Sequence, residues 1–205
     1  SLLASTPIMA QDTQTSVTYD VTAEAAVGSG DFTAYQLTTN RHHVLSTRPN
    51  TAYMRGAVNV EHQWAKDWKL SGAVDGIASV HADHKAYLQQ CYVNLQWKDF
   101  FVEAGARELQ PVLRDPLLSS GAFAKGNNAK PIPQVHVGTN GFWTVPYTKG
   151  WVQVSADFGY GKFMDSDYRE KQFYREGSGN WNYATGILYH QKHLYIRSNP
   201  DKPFF

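Results

Sequence analysis

Ala52-Tyr53-Met54-Arg55-Gly56-Ala57-Val58-Asn59-Val60-Glu61-His62-Gln63-Trp64 alternates between two kinds of side chain. Ala52, Met54, Gly56, Val58, Val60 and Trp64 fall on one face of an extended chain, and Arg55, Asn59, Glu61 and Gln63 on the other; only His62 is a polar residue on the apolar side. Consecutive residues of a strand point to opposite faces, so a period of two over such a run describes a strand with one greasy and one wet face. Strands of soluble domains average about five or six residues, whereas a strand crossing a bilayer at a tilt needs about nine to eleven. The length of the run therefore points to a membrane barrel. Its charged and amide side chains suit a wet lumen better than the dry centre of a sandwich.

The same pattern recurs on both sides of this stretch. Before it, Val17, Tyr19, Val21, Ala23, Ala25 and Val27 alternate with Ser16, Thr18, Asp20, Thr22 and Glu24. After it, Leu70, Val74, Ala78 and Val80 oppose Ser71, Asp75, Ser79 and His81, with Ile77 on the polar side. Tyr87, Cys91, Val93, Leu95 and Trp97 then oppose Gln90, Tyr92, Asn94 and Gln96, and Phe100, Val102, Ala104 and Ala106 alternate with Glu103 and Arg107. Val152, Val154, Ala156, Phe158 and Tyr160 face away from Gln153, Ser155 and Asp157; the run 183–196 is strand-like with ambiguous faces. The expectation is an all-β chain: an antiparallel, up-and-down transmembrane β-barrel, incomplete at about eight strands and truncated at both ends.

Connection lengths give an independent reading, because bacterial barrels alternate short periplasmic turns with long external loops. The links 28–50, 108–131 and 163–181 are long, 65–69 and Lys98-Asp99 are short, and 82–86 and 139–150 blur the alternation. Under this topology Trp64, Trp68, Trp97, Phe100 and Trp143 all fall at the end with short turns. Indole rings prefer the headgroup level, so these five are expected to form a girdle at the membrane interface. The alternative is that they are core or sugar-stacking aromatics.

Composition narrows the function classes. A net charge of +1 gives no field to collect phosphate backbones, so nucleic-acid binding is not expected. No run of about eighteen apolar residues is present, which excludes a transmembrane helix and leaves a barrel untouched. Cys91 is the only cysteine, so an intrachain disulfide and cysteine metal clusters are excluded. Ser1 to Gln11 looks like the end of a secretory signal with cleavage after Ala10, so 1–10 is expected to be a signal-peptide remnant and 11–205 the N-terminal part of the barrel.

No cofactor, metal or catalytic site is expected. His81 and His84, and His190 and His193, are each three apart, which in a strand sends the two rings to opposite faces. The chain carries no nucleophile elbow, phosphate-cradling glycine loop or His-Glu-x-x-His helix.

The long link after Arg107-Glu108 begins Gln110-Pro111-Val112-Leu113-Arg114-Asp115-Pro116-Leu117-Leu118-Ser119-Ser120-Gly121 and closes on Gly126-Asn127-Asn128-Ala129-Lys130-Pro131-Ile132-Pro133-Gln134-Val135. With Thr148-Lys149-Gly150-Trp151 and Leu188-Tyr189-His190-Gln191-Lys192-His193-Leu194-Tyr195, these elements resemble the capsule assembly protein Wzi family over roughly 17–203, the Pro-Ile-Pro-Gln-Val element being the most specific. The resemblance implies an outer-membrane barrel of about eighteen strands that helps hold capsular polysaccharide at the cell surface. It departs from the family where some members carry a helical periplasmic bundle, for which there is no room before Ser16.

On this reading the partners are capsular or extracellular polysaccharide and outer-membrane lipid, and the barrel is monomeric and not an enzyme. Arg107, Arg114, Lys125 and Lys130 are candidates for binding acidic sugars, and Tyr168, Phe173, Tyr174 and Trp181 for stacking on pyranose faces. For Arg107, Glu108, Arg114 and Asp115 the alternative is structural pairing inside the lumen. The link 108–131 is large enough to fold inward. Two rival functions stay open: a porin or specific channel, and a secreted carbohydrate-binding β-sandwich.

Overall fold

The computed structural model describes residues 4–8, 15–38, 41–42, 44–82, 84–108, 129–164 and 186–202. Strands are β1 (Ala4–Ile8), β2 (Thr15–Ala26), β3 (Thr51–Ala65), β4 (Trp68–Val80), β5 (Ala86–Trp97), β6 (Phe100–Ala106), β7 (Gln134–Thr139), β8 (Trp143–Thr144), β9 (Val152–Lys162) and β10 (Leu188–Ser198). A short helix, α1 (Tyr35–Thr38), lies in the β2–β3 link. Ten strands share one sheet in the order β1-β2-β3-β4-β5-β6-β7-β9-β10, with β8 against β9. Sequence neighbours thus pair except β7 and β8, which both pair with β9, and two-residue connections such as Lys66-Asp67 and Lys98-Asp99 permit only antiparallel pairing. Lys98 takes the left-handed conformation (φ 52°) that tight hairpin turns require.

The all-β, antiparallel expectation holds, and the strand path among the described residues is open, beginning at β1 and ending at β10. The two strands beyond the expected eight are β1 and β8. Strand β1 falls within the stretch read from sequence as a signal remnant; here Ala4–Ile8 runs antiparallel to Val21–Val17. Pro7 has no N–H to give to a ladder, and a strand at the end of the path is where proline is tolerated.

The chain divides into two compact units. The first comprises 1–63, 71–93 and 105–131, and pairs β2 with β3 from Thr15↔His62 to Ala26↔Thr51. Its apolar cluster is small: Ala26, Val44, Leu45, Tyr53 and Ile77, with Tyr87 against it. Val44 and Leu45 come from the β2–β3 link, which folds over the inward face of the strands. Ile77, out of place in the alternation of β4, is the strand residue that receives them.

The second unit comprises 64–70, 94–104 and 132–205. Strand β9 is its centre, with β7 on one side (Gln134↔Gly161 to Gly138↔Asp157) and β10 on the other (Leu188↔Lys162 to Ser198↔Val152).

Both units are inside-out relative to a soluble domain. Asp75, Gln89, Asn94, Glu103, Gln134, His136, Ser155 and Gln191 are buried, while Val21, Met54, Val58, Val74, Val93, Val102, Val135, Leu194 and Ile196 are exposed. The extremes are Asp75 at 1% exposure and Ile196 at 67%. Water normally selects the opposite arrangement, because transfer of apolar surface out of water is the main favourable term in folding.

One face assignment from sequence is corrected. Tyr87 was expected to share the apolar face with Cys91, but it points inward, and Leu88 is the exposed residue beside it. The alternation slips by one residue where Gln89 and Gln90 both turn inward, the phase change that a β-bulge produces. Strict parity counted back from Cys91 cannot see that slip.

Candidate functional site: the polar inner face

In the first unit the inner face is organised around Arg55 of β3. Its Nε donates to Asp75 Oδ2 at 2.8 Å, Nη2 also pairs with Asp75, and Nη2 reaches Glu108 Oε1 and Oε2 at 3.2 Å. The two glutamines at the bulge complete the network. Gln90 Nε2 donates to Asp75 Oδ2 at 3.2 Å and Gln89 Nε2 to Glu108 Oε1 at 2.8 Å, while the Glu108 N–H donates to Gln90 Oε1 at 2.9 Å. Gln89 Nε2 also donates to the His42 carbonyl at 2.9 Å, tying the β2–β3 link to the strands. Arg41 of that link pairs with Glu24, which accepts the Tyr53 hydroxyl at 2.8 Å. Two carboxylates around one guanidinium need this many donors, because an uncompensated buried charge is costly.

The second unit carries a different constellation on β7, β9 and β10. Asp157 Oδ1 accepts from His136 Nε2 at 2.9 Å, and both its oxygens lie 3.0 Å from His193 Nδ1. Gln191 Nε2 donates to Asp157 Oδ1 at 3.3 Å. Register produces the convergence: His193 is directly opposite Asp157 on one side, and Gly138, two residues from His136, is opposite it on the other. Gly159 makes the room, since a methyl group there would lie 2.6 Å from Gln134 Oε1. His136 packs edge-on against Phe101 at 4.9 Å, with Nδ1 buried and without a hydrogen-bond partner. Nearby, Asn94 Nδ2 donates to Glu103 Oε2 at 3.1 Å.

The two imidazoles and the Gln191 amide occupy the Asp157 carboxylate from within the row. Among the described residues no group of three or more His, Cys, Asp or Glu is arranged to hold a metal ion. Along β9, Ser155 Oγ is buried and lies 3.5 Å from Thr139 Oγ1. The sequence reading missed this row, because β7 and the faces of β10 were not resolved by alternation. His190 and His193 do point to opposite sides: His190 is exposed and His193 faces inward.

Of the candidate sugar-binding residues, Arg107 and Lys130 are described, and each sits on an aromatic ring of the inner face. The Arg107 guanidinium lies 4.6 Å from the Tyr92 centroid and Lys130 Nζ 4.6 Å from that of Tyr87. Arg114, Asp115, Lys125, Tyr168, Phe173, Tyr174 and Trp181 lie outside the described residues, as does most of the link expected to fold inward. Within the described residues, Val44 and Leu45 of the 27–50 link pack on the inner face.

The five short-turn aromatics come together in one row. Ring centroids are 5.9 Å apart for Trp64–Trp68, 6.1 Å for Trp68–Trp97, 6.3 Å for Trp97–Phe100 and 5.5 Å for Phe100–Trp143. Strand ends bring them level, since Trp64 and Trp68 flank one two-residue turn and Trp97 and Phe100 flank the next.

Compared with known proteins, the chain matches no family model, no curated protein and no solved structure.

Proposed function

We propose that this chain forms part of an outer-membrane β-barrel that assists assembly of capsular polysaccharide and its attachment at the cell surface, without catalysing a reaction. One observation carries the membrane half of this reading: buried Asp, Glu, Gln, Asn and His on one side of long strands, exposed Val, Met, Leu and Ile on the other. A bilayer stabilises that arrangement, because lipid covers the apolar side and a lumen hydrates and pairs the polar one. Closure of the open strand path into a barrel follows from the same physics, since unpaired strand edges are not tolerated in hydrocarbon. The aromatic row from Trp64 to Trp143 supplies an interface belt.

The capsule half rests on the resemblance to the Wzi family in the 110–135 link and the motifs around 148–151 and 188–195. In the alternating topology of a bacterial barrel the long links belong to the external side, where a polysaccharide would be met. Val44 and Leu45, packed across the inner face, favour a closed lumen over an open porin. Deleting the gene from an encapsulated strain is the test: capsule released into the medium supports the reading, and capsule retained at the cell surface overturns it. Recovery of the protein in buffer without detergent would overturn the barrel itself.

A further inference from the structure

The inner side of β10 carries Tyr189, Gln191, His193, Tyr195 and Arg197, in alternation with the exposed Leu188, His190, Lys192, Leu194 and Ile196. Register sets His193, Tyr195 and Arg197 against Asp157, Ser155 and Gln153 of β9. Arg197 closes this row at the end of the strand. Its guanidinium lies over the Phe142 ring, 3.8 Å from the centroid, and its Nε donates to Gln153 Oε1 at 2.9 Å. Gln153 Nε2 in turn donates to Thr144 Oγ1 at 3.3 Å, which ties this support to β8. The guanidinium is thus held by one ring face and one edge, and among the described residues neither Nη nitrogen has a hydrogen-bond partner. No carboxylate pairs with Arg197 among the described residues, whereas Arg55 has Asp75 and Glu108, and Arg41 has Glu24.

Arg197 stands level with the aromatic row but on the other face of the sheet. Its neighbour Ile196 is opposite Val154, and Val154 is opposite Trp143. Arg197 is exposed there, so water meets its open Nη edge. A guanidinium whose fork is already fixed by a ring and an amide loses little freedom when a carboxylate docks on it. Four residues back along the strand, His193 Nδ1 is bonded to both oxygens of Asp157. Carboxylate oxygens only accept, so Nδ1 carries the proton. The outer nitrogen, Nε2, has no hydrogen-bond partner among the described residues, and the side chain is 39% exposed. Between the two, the half-buried Tyr195 ring lies 6.0 Å from the His193 ring and within 12° of parallel to it.

We infer that Arg197, Tyr195 and His193 form a binding site on the inner face of β10 for an acidic oligosaccharide, one that carries uronic acid residues. The Arg197 Nη groups take the uronate carboxylate end-on, the Tyr195 ring lies against a pyranose face, and His193 Nε2 meets a sugar hydroxyl. Guanidinium and carboxylate match as a two-pronged, charge-assisted pair, which a neutral sugar cannot offer. A tyrosine ring gives an apolar face with a polar edge, the combination that a sugar ring also presents. The three residues span about 13 Å of strand, more than one sugar ring, so the ligand is a disaccharide or longer. No aliphatic side chain stands in the inward row from Tyr189 to Arg197, so the row offers nothing to an apolar ligand. The inference rests on the polysaccharide reading above and deepens it: the sugar is acidic, and one place that holds it is the inner face at the aromatic-row end of β10.

The test uses the full chain in detergent micelles and calorimetric titration with two probes: a hyaluronan tetrasaccharide, in which glucuronate alternates with N-acetylglucosamine, and the same tetrasaccharide with its carboxyl groups reduced to alcohols. The wild type is expected to bind the acidic probe about tenfold or more tightly than the reduced one, the effect of one charge-assisted contact. R197Q should lose that factor for the acidic probe and nothing for the reduced probe, a pattern that misfolding would not produce. Y195L, which keeps an apolar side chain but not the ring, should weaken both probes by about threefold to tenfold. K192Q, on the opposite face of the same strand, should leave both affinities unchanged. Absence of binding by the wild type, equal affinity for the two probes, or full retention of the acidic preference in R197Q overturns the site. Competition by tetraglutamate as strong as by the tetrasaccharide overturns it too, because the carboxylate alone would then be recognised. Any of these results, with capsule still released by the gene-deletion strain, removes the site and leaves the capsule reading; specific binding here, with capsule retained by that strain, removes the capsule reading and leaves the site.

Discussion

Gly105 of β6 lies so close to the backbone of Cys91 on β5 that a methyl group on its Cα would sit 2.1 Å from the Cys91 carbonyl oxygen. Its φ of +124° is a conformation that side chains other than hydrogen rarely adopt, so both space and backbone demand glycine there. The position faces the slip in β5 that turns Gln89 and Gln90 inward together. G105A is expected to destabilise the chain by about 3 kcal/mol or to prevent folding, since the strained backbone alone costs of order 1–3 kcal/mol. G56A is the control, because nothing lies within 4 Å of a methyl group at that glycine; urea midpoints in detergent should be unchanged or slightly raised. Equal stability of G105A and wild type would remove the close approach from the account.

The pairing of Arg55 with Asp75 and Glu108 makes a second prediction. Asp75 is buried and is bonded by Arg55 and Gln90, so D75A leaves a guanidinium with one remaining carboxylate and an amide without its acceptor. Removing one partner of a buried pair costs roughly 3–5 kcal/mol, and the partial exposure of Arg55 favours the lower end. Glu108 is held by Arg55 and Gln89 at the start of a long link, so E108Q should cost less, about 1–2 kcal/mol. Unfolding titrations of the two variants give the order, and a larger loss for E108Q would contradict it.

The exposed apolar face separates a bilayer from a missing protein layer. V58R, V93R and V154R each put a cation on that face, and lipid predicts a loss of about 2–4 kcal/mol near the midplane. If water met this face, the same substitutions would be nearly neutral, within about 0.5 kcal/mol. Refolding yield into liposomes and quenching of labels at these positions by brominated lipid report the difference. Labels that brominated lipid fails to quench would place protein, not hydrocarbon, against the strands.

How much of this was legible in the sequence follows from what fixes each feature. Long strands with one face buried declare themselves by a period of two, and β3, β4 and β6 have the expected boundaries within two residues. The five aromatics could be assigned to one end because connection lengths alternate, and they form one continuous row. Features fixed by a local break in periodicity were hidden. Tyr87 was assigned to the wrong face because a one-residue slip inverts every residue on one side of it. The His136–Asp157–His193 row depends on register between three strands, β7 among them short, and nothing in the spacing of the residues encodes it. Ile77 stands on the polar side of the alternation, and the residue it packs with, Leu45, comes from a link with no periodic pattern.

Leu45 gives the last prediction. It is 1% exposed although it belongs to a link, and it packs with Val44 against Ala26, Tyr53 and Ile77 on the inner face. The link is held there as well by the Gln89 amide on the His42 carbonyl and by Arg41 on Glu24. In a barrel, this contact is what keeps the 27–50 link across the lumen. L45A is expected to cost about 2–5 kcal/mol of local stability, the usual range for a buried leucine. L45D, which puts a carboxylate among apolar side chains, should release the link altogether. Protected amides in 27–50 should then exchange with deuterium faster while those of β9 and β10 stay unchanged, and planar-bilayer conductance should rise above the wild-type level. An unchanged exchange pattern in L45D would show that the link is anchored by its polar contacts alone, and a conductance already high in the wild type would show that it closes nothing.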